Sequence, residues 1–281
     1  MFADELGDRM KGHERVETAR IFDKDLPVYA RIDGRGFSRF TRGMNRPFDA
    51  RMTAAMQATT AELVRSTGAR IGYTQSDEIS LVWLVGTENP RSQMVFGGKT
   101  QKMCSLLASQ ATALFTRELL RSDDAEFRAF AERMPQFDTR VFQLPSREEA
   151  VNALIWRESD ARRNAVSMVA HDRFSPKQLH GKKVTDMIAM LSEVGIEFDA
   201  FPTAFRNGTY VKEATVQRQL AASEISAIPE HRRVDPATVF TRSVIEFLTD
   251  APLVSQPNRL EFVFGPEVTE DTNEYSVDKV A

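Results

Sequence analysis

Three carboxylates in two short stretches could do chemistry together. Asp33 lies in "RIDGRGFSRF" (31–40), at the end of an apolar run and the start of a glycine-rich bend; Asp77 and Glu78 lie side by side in "GYTQSDEIS" (72–80), between two apolar runs. Carboxylates on adjacent strands can hold two magnesium ions about 3.5–4 Å apart, as in polymerases and nucleases. Magnesium takes oxygen ligands, keeps several waters and leaves substrate phosphates to complete its shell. Asp33, Asp77 and a backbone carbonyl at the Asp33–Gly34 bend would therefore suffice, with Mn2+ as an alternative ion. Each stretch alone also reads as an ordinary turn, because Asp favours turns and Asp-Gly is a frequent turn pair. Cations surround the acids in sequence: Arg31, Arg35, Arg39 and Arg42 beside Asp33, and Lys99 and Lys102 at the start of a helical run. A helix N-terminus carries partial positive charge and free N–H groups. The set suits a triphosphate; the other reading is a solvated surface that balances the acids.

The elements that must position these residues are legible in outline. "PVYARID" (27–33) alternates as a strand, with Val28, Ala30 and Ile32 on one face and Tyr29 and Arg31 on the other. Gly34 and Gly36 then let the chain bend. Residues 49–66 lack Gly and Pro and read as a helix that Gly68 ends. "ARIGYT" and "ISLVWLV" read as two strands joined at "QSDE". Residues 99–121 give a second amphipathic helix, and "FDTRVFQL" (137–144) a fourth strand. The order strand–helix–strand–strand–helix–strand predicts an α+β, ferredoxin-like antiparallel sheet with helices on one face. That layout sets the end of the first strand beside the hairpin, and so Asp33 beside Asp77 and Glu78. Beyond residue 145 a mostly helical region follows: a helix capped by Ser146 with Glu149, a short one from Ser175-Pro176, and one over 184–194. Strand-like pieces at "FRNGTYVK" and "RLEFVFG" and a helical piece near 235–248 complete it. The reading divides the chain into a catalytic part, 1–145, and a part for RNA or acceptor binding, 146–281.

Composition sets limits. The 281 residues carry a net charge of −3, so nucleic-acid binding must come from local clusters of Lys and Arg. One cysteine, Cys104, excludes an internal disulfide framework and fits a reducing compartment. No apolar run is long enough for a membrane span, and the charged N-terminus lacks the apolar core of a secretory signal, so a cytoplasmic protein is expected.

These motifs carry a resemblance. "RIDGRGFSRF" resembles the "R-[LI]-D-G-R-x-F" motif of the tRNA-His guanylyltransferase family and its broader guanylyltransferase-like, 3′–5′ polymerase branch. "GYTQSDEISLVW" is similar to that family's "AYGQSDEYSFVF". "FDTRVFQLPS", "WRESDARRN" and "FRNGTYV" follow in the family's order, so the resemblance covers roughly residues 8–215. It implies a catalytic domain like a polymerase palm and two-metal transfer of a GTP-derived nucleotide to a tRNA 5′ end, with ATP or GTP activating that end. It implies Asp33, Gly34 and Asp77 as metal ligands and Glu78 as a residue that orients a ligand or water. Arg31, Gly34, Arg35, Gly36, Phe37, Ser76, Lys99 and Lys102 would bind the nucleotide. Arg157, Arg162, Arg163, Asn164, Lys182 and Lys183 would bind RNA, and an RNA-handling role predicts a continuous basic surface through Arg157, Arg162, Arg163, Lys177, Lys182 and Lys183. A dimer or tetramer is implied as well, for which the apolar run "ISLVWLV" is a candidate interface. The chain departs from the family pattern in "RRNAVSM", where the family has "HINNLYN", and at Ser38, where it has histidine. These departures fit the broader branch, which repairs truncated 5′ ends by templated addition. Two other readings remain at this level: a palm-type nucleotide cyclase or oligonucleotide synthase acting without tRNA, and an RNA-binding module with a lapsed site.

Overall fold

Strand β1 (Val28–Gly34) runs through the middle of the protein, with Val28, Ala30 and Ile32 fully buried on one face and Tyr29 on the other. In the computed structural model, residues 2–85, 93–249 and 252–265 are described. The helices are α1 (Phe2–Thr18), α2 (Phe37–Phe40), α3 (Ala50–Thr67), α4 (Thr100–Arg121), α5 (Ala125–Ala129), α6 (Arg147–Arg173), α7 (Pro176–Leu179), α8 (Val184–Glu193), α9 (Thr203–Asn207), α10 (Ala222–Ala227) and α11 (Arg259–Phe264). The remaining strands are β2 (Ile71–Gln75), β3 (Glu78–Trp83), β4 (Phe137–Gln143), β5 (Thr209–Gln219) and β6 (Val239–Leu248).

The sheet order is β4-β1-β3-β2-β5-β6, antiparallel throughout. Its first four strands have the expected ferredoxin-like arrangement, with α3 and α4 as the connecting helices. These two pack with the Val28–Ala30–Ile32 face into one core that includes Met56, Leu63, Leu107 and Phe115. Asp49 caps α3 by accepting the Arg51 N–H, and Gly68 ends it in a left-handed conformation (φ 65°). On the opposite face, α6 lies across Tyr29, Tyr73 and Val82. Its 27 residues span about 40 Å. Ser146 caps it by accepting the Glu149 N–H, as the sequence suggested. The second half of α6 makes a smaller core with α7, α8 and Phe198.

Three expectations are corrected here. Residues 239–248 form β6, not a helix; their β-branched and aromatic content suits the long ribbon with β5. "RLEFVFG" forms α11, not a strand, because Asn258 accepts the Glu261 N–H and starts a helix. The run "ISLVWLV" is no interface: Ile79–Trp83 is central strand β3, buried along its length.

A candidate nucleotidyl-transfer site

The register of the sheet gathers the acids. Asp33 lies directly opposite Glu78 on β3 and opposite Asp138 on β4. Side chains of directly opposed residues share a face, so Asp138, Asp33 and Glu78 form a row across three strands. Asp77 sits in the hairpin turn at the end of that row, after Ser76, whose φ is 48°. The Gly34 N–H donates to the Asp77 carbonyl at 3.0 Å, so the bend after Asp33 is stitched to the turn that carries Asp77. The Ser76 hydroxyl donates to Asp77 Oδ1 at 3.1 Å. Burial pushes the Asp77 carboxyl up to about 6, and the charge of Asp33 pushes in the same direction. Among the described residues neither Asp33 nor Asp77 is ion-paired, so two neighbouring acids are left without compensating charge.

Glu78 is different. Arg157 of α6 holds both of its oxygens, Nε to Oε1 at 2.6 Å and Nη2 to Oε2 at 2.7 Å, and both side chains are buried. Arg157 also reaches Asp160 at 2.9 Å, and Asp160 holds Arg163 at 2.7 Å. Burial pushes the Glu78 carboxyl up, against the pull of the guanidinium fork. The expectation that Glu78 orients a free ligand or water is thus corrected to a brace that ties the acid row to α6. Arg157 is corrected from an RNA contact to the other half of that brace.

A cavity of about 480 Å³ opens beside Asp77. Its walls come from the stretch after β1 (Phe37, Ser38, Asn45, Arg46), from α3 (Met52, Met56), from the hairpin (Ser76, Asp77) and from α6 (Asn164, Met168). Phe37 and Ser76 were expected at a nucleotide and Asn164 at the RNA; Arg46, Met52, Met56 and Met168 were not expected, and only Arg46 carries a sequence signal, its nearness to the DGR motif. Arg31 lies two residues before Asp33 on the same face, its guanidinium 5.7 Å from the Trp156 ring centroid. Gly36 takes a left-handed conformation (φ 66°) and starts α2. The first N–H groups of that turn have no helical carbonyl to bind.

Gly34 is required sterically. A Cβ there would lie 2.4–2.7 Å from the Phe37 ring. Phe37 is packed against Phe40, Phe115 and Phe137, so its ring has nowhere to go. Gly34→Ala is expected to cost about 1–3 kcal/mol, and to lower kcat/KM at least tenfold by shifting α2; thermal melting and steady-state kinetics check both.

Other expected residues are dispersed. Lys99 bridges Ile21, and the Thr100 N–H donates to the Arg20 carbonyl, at the end of the sheet where β1 begins. The part of α4 at the acid end is Thr112, whose hydroxyl accepts the Phe137 N–H at 3.2 Å. About 20 Å of helix separates the two ends, so Lys99 and Lys102 do not reach a phosphate at the acids. Strand β3 starts at the hairpin and runs away from it, so the helix that follows starts at the far end. The basic surface also divides: Arg157 is buried, Arg162 faces Asp199 at 3.4 Å, and Arg163 is paired with Asp160, while Lys177, Lys182 and Lys183 are exposed beyond the end of α6.

A ferredoxin-like sheet that gathers unpaired acids at a hairpin, beside a cavity of this size, suits metal-assisted chemistry on a nucleotide. The family model for tRNA(His) guanylyltransferase (Thg1) matches residues 7–145. A solved bacterial Thg1-like protein in complex with ATP is 32% identical, with a TM-score of 0.67 over 74% of this chain and 88% of that one. Another, in complex with GTP, is 27% identical, with a TM-score of 0.66 over 89% and 94%. An uncharacterized protein of Acanthamoeba polyphaga mimivirus is 30% identical over 75% of this chain and 78% of its own length. The probable tRNA(His) guanylyltransferase of Mus musculus is 28% identical over 70% and 68%. This chain belongs to the tRNA(His) guanylyltransferase (Thg1) family.

Proposed function

We propose that this enzyme adds a GTP-derived nucleotide to the 5′ end of tRNA, in the 3′–5′ direction, by metal-dependent transfer on a palm-like domain. The observation that carries the reading is a pair of carboxylates without an ion-pair partner among the described residues: Asp77 at the wall of a nucleotide-sized cavity, and Asp33 on the bend stitched to its hairpin. The donors fit magnesium: two carboxylates and the Gly34 carbonyl are hard oxygen ligands, and the strained ionisation of Asp77 is relieved by a cation. Bound there, magnesium supplies charge neutralisation at the phosphorus and makes the attacking hydroxyl more acidic.

The chain's own part is mostly positioning. The cavity holds the nucleoside, with Met52, Met56 and Met168 as its apolar walls and Asn164 and Ser76 as polar contacts. Arg46 and the N–H groups at the start of α2 face the phosphates. The Glu78–Arg157 brace keeps Asp77 and Asp33 in register. The 3′-hydroxyl of the incoming nucleotide attacks the activated 5′ phosphorus; a P–O bond forms there, and the bond to the activating group breaks. Residues 1–145 carry the acids and most of the cavity; 146–281 add Asn164 and Met168 to its wall, brace Glu78 through Arg157, and supply further acceptor contacts. We further assign a cytoplasmic location and a dimer or tetramer, as the family reading suggests; no helix among the described residues is long and apolar enough to cross a membrane.

The test is label transfer from α-phosphate-labelled GTP and ATP, with magnesium, with and without a tRNA lacking its first 5′ nucleotide. Label is expected in the RNA and should vanish in chelator. Label in a phosphatase-resistant small product formed without RNA would overturn the proposal in favour of a nucleotide cyclase or oligonucleotide synthase.

A further inference from the structure

A second concavity, of about 660 Å³, lies on the other side of α2 and shares no lining residue with the nucleotide cavity. It is lined by Arg35, Arg39, Arg42 and Arg133, together with Met134 and Gln136. Two of the arginines are fixed. Arg133 donates to the carbonyls of Phe40 (2.6 Å) and Arg42 (2.7 Å) and stacks over Phe130 at 4.3 Å. Arg35 is held to Gln136 through its N–H (2.8 Å) and its guanidinium (3.1 Å). Arg39 and Arg42 are exposed. None of the four has a carboxylate partner among the described residues, whereas Arg51, Arg157, Arg163 and Arg206 do. In a chain of net charge −3 this is a local, uncompensated positive field.

Its position says what it meets. Arg35 is two residues from Asp33, so the concavity begins within about 7.6 Å of that acid, Cα to Cα. The nucleotide has its own cavity across α2. A strand whose 5′ end reaches the acids continues over the neighbouring surface, and on the β4 side that surface is this one. We infer that the arginine-lined concavity binds backbone phosphates of the acceptor RNA next to its 5′ end. The assignment rests on the 5′-end transfer proposed above. The chemistry recognised is phosphate oxygen, which a nucleoside triphosphate also offers, so the test separates the two.

The experiment measures binding of a fluorescent tRNA lacking its first 5′ nucleotide, at several salt concentrations, and of GTP by equilibrium dialysis. It compares the wild type with the double variant Arg39→Gln/Arg42→Gln. RNA affinity is expected to fall at least tenfold, and the slope of log K against log salt to become shallower by roughly one to two; GTP affinity should stay within twofold. Equal losses for RNA and GTP would reassign the concavity to the triphosphate. Unchanged RNA binding by the variant, with a wild type that still labels tRNA, would refute the RNA assignment and leave the transfer activity standing. A wild type that neither binds nor labels tRNA would overturn both.

Discussion

Replacing Asp77 with Asn is expected to remove at least 10³-fold of nucleotidyl transfer while making the protein harder to melt at pH 7 without divalent metal. Loss of function through simple damage would lower both. The sign follows from the acid's position. Its carboxyl titrates near 6 in the folded chain, above the ordinary value of 3.8. Between those values the folded state binds more protons than the unfolded one, so stability falls as pH rises from about 4 to about 6 and the loss persists above. Asparagine removes that cost. The gain at pH 7 should be about 1–2 kcal/mol, below the roughly 3 kcal/mol of the full shift, because the side chain is partly open to solvent. That corresponds to a rise of roughly 2–6 °C in Tm; it should shrink to a small remainder by about pH 4 and disappear below about pH 3, where the acid is protonated in both states. Magnesium should raise the Tm of the wild type at pH 7 and leave that of Asp77→Asn unmoved. An Asp77→Asn protein with ordinary transfer would sink the two-metal model. One that melts lower than the wild type at pH 7 would show that Asp77 is paired rather than held unpaired for a cation.

The acid cluster was legible because it depends on rules that act locally. Alternation in "VYARID" fixed which face of β1 carries Asp33, the turn residues of "QSDE" fixed the hairpin, and the order of elements fixed which strands are neighbours. The misplaced residues depend on where elements run in space. Lys99 and Lys102 carry the right charge, but the direction of β3 sends the start of α4 to the wrong end of the sheet. Arg157 sits in "WRESDARRN", which was expected to lie on an exposed RNA-binding surface. It is buried because α6 is squeezed between the sheet and the tail, where Glu158 accepts the Tyr210 hydroxyl and the Leu253 N–H. No periodicity reveals a helix whose charged residues face inward to partners from distant segments. Short apolar runs failed for another reason: "RLEFVF" fits a strand or a helix equally until the Asn258 cap is weighed.

The brace supplies the second large effect. Arg157→Met leaves Glu78 buried with no guanidinium on either oxygen. Removing one partner of a buried, hydrogen-bonded ion pair costs about 3–5 kcal/mol, because the remaining charge is stranded away from water. A fall in Tm of roughly 6–15 °C should follow, and transfer should drop at least tenfold at temperatures where the variant is still folded, since Asp77 precedes Glu78 and Asp33 pairs with it. Desolvation and attraction nearly cancel in such pairs, so exchanging both partners for apolar residues of similar size should restore what one exchange loses. Glu78→Met/Arg157→Met is therefore expected to melt within a few degrees of the wild type. A double variant as unstable as the single one would mean that Arg157 stabilises the fold chiefly through Asp160 or by stacking on Trp156, 4.6 Å from its ring, and not through the acid row. Recovery of stability would show that the single variant loses its stability to the stranded charge of Glu78, next to the residues proposed to hold the metal, and that the apolar packing of α6 on the sheet suffices without the pair.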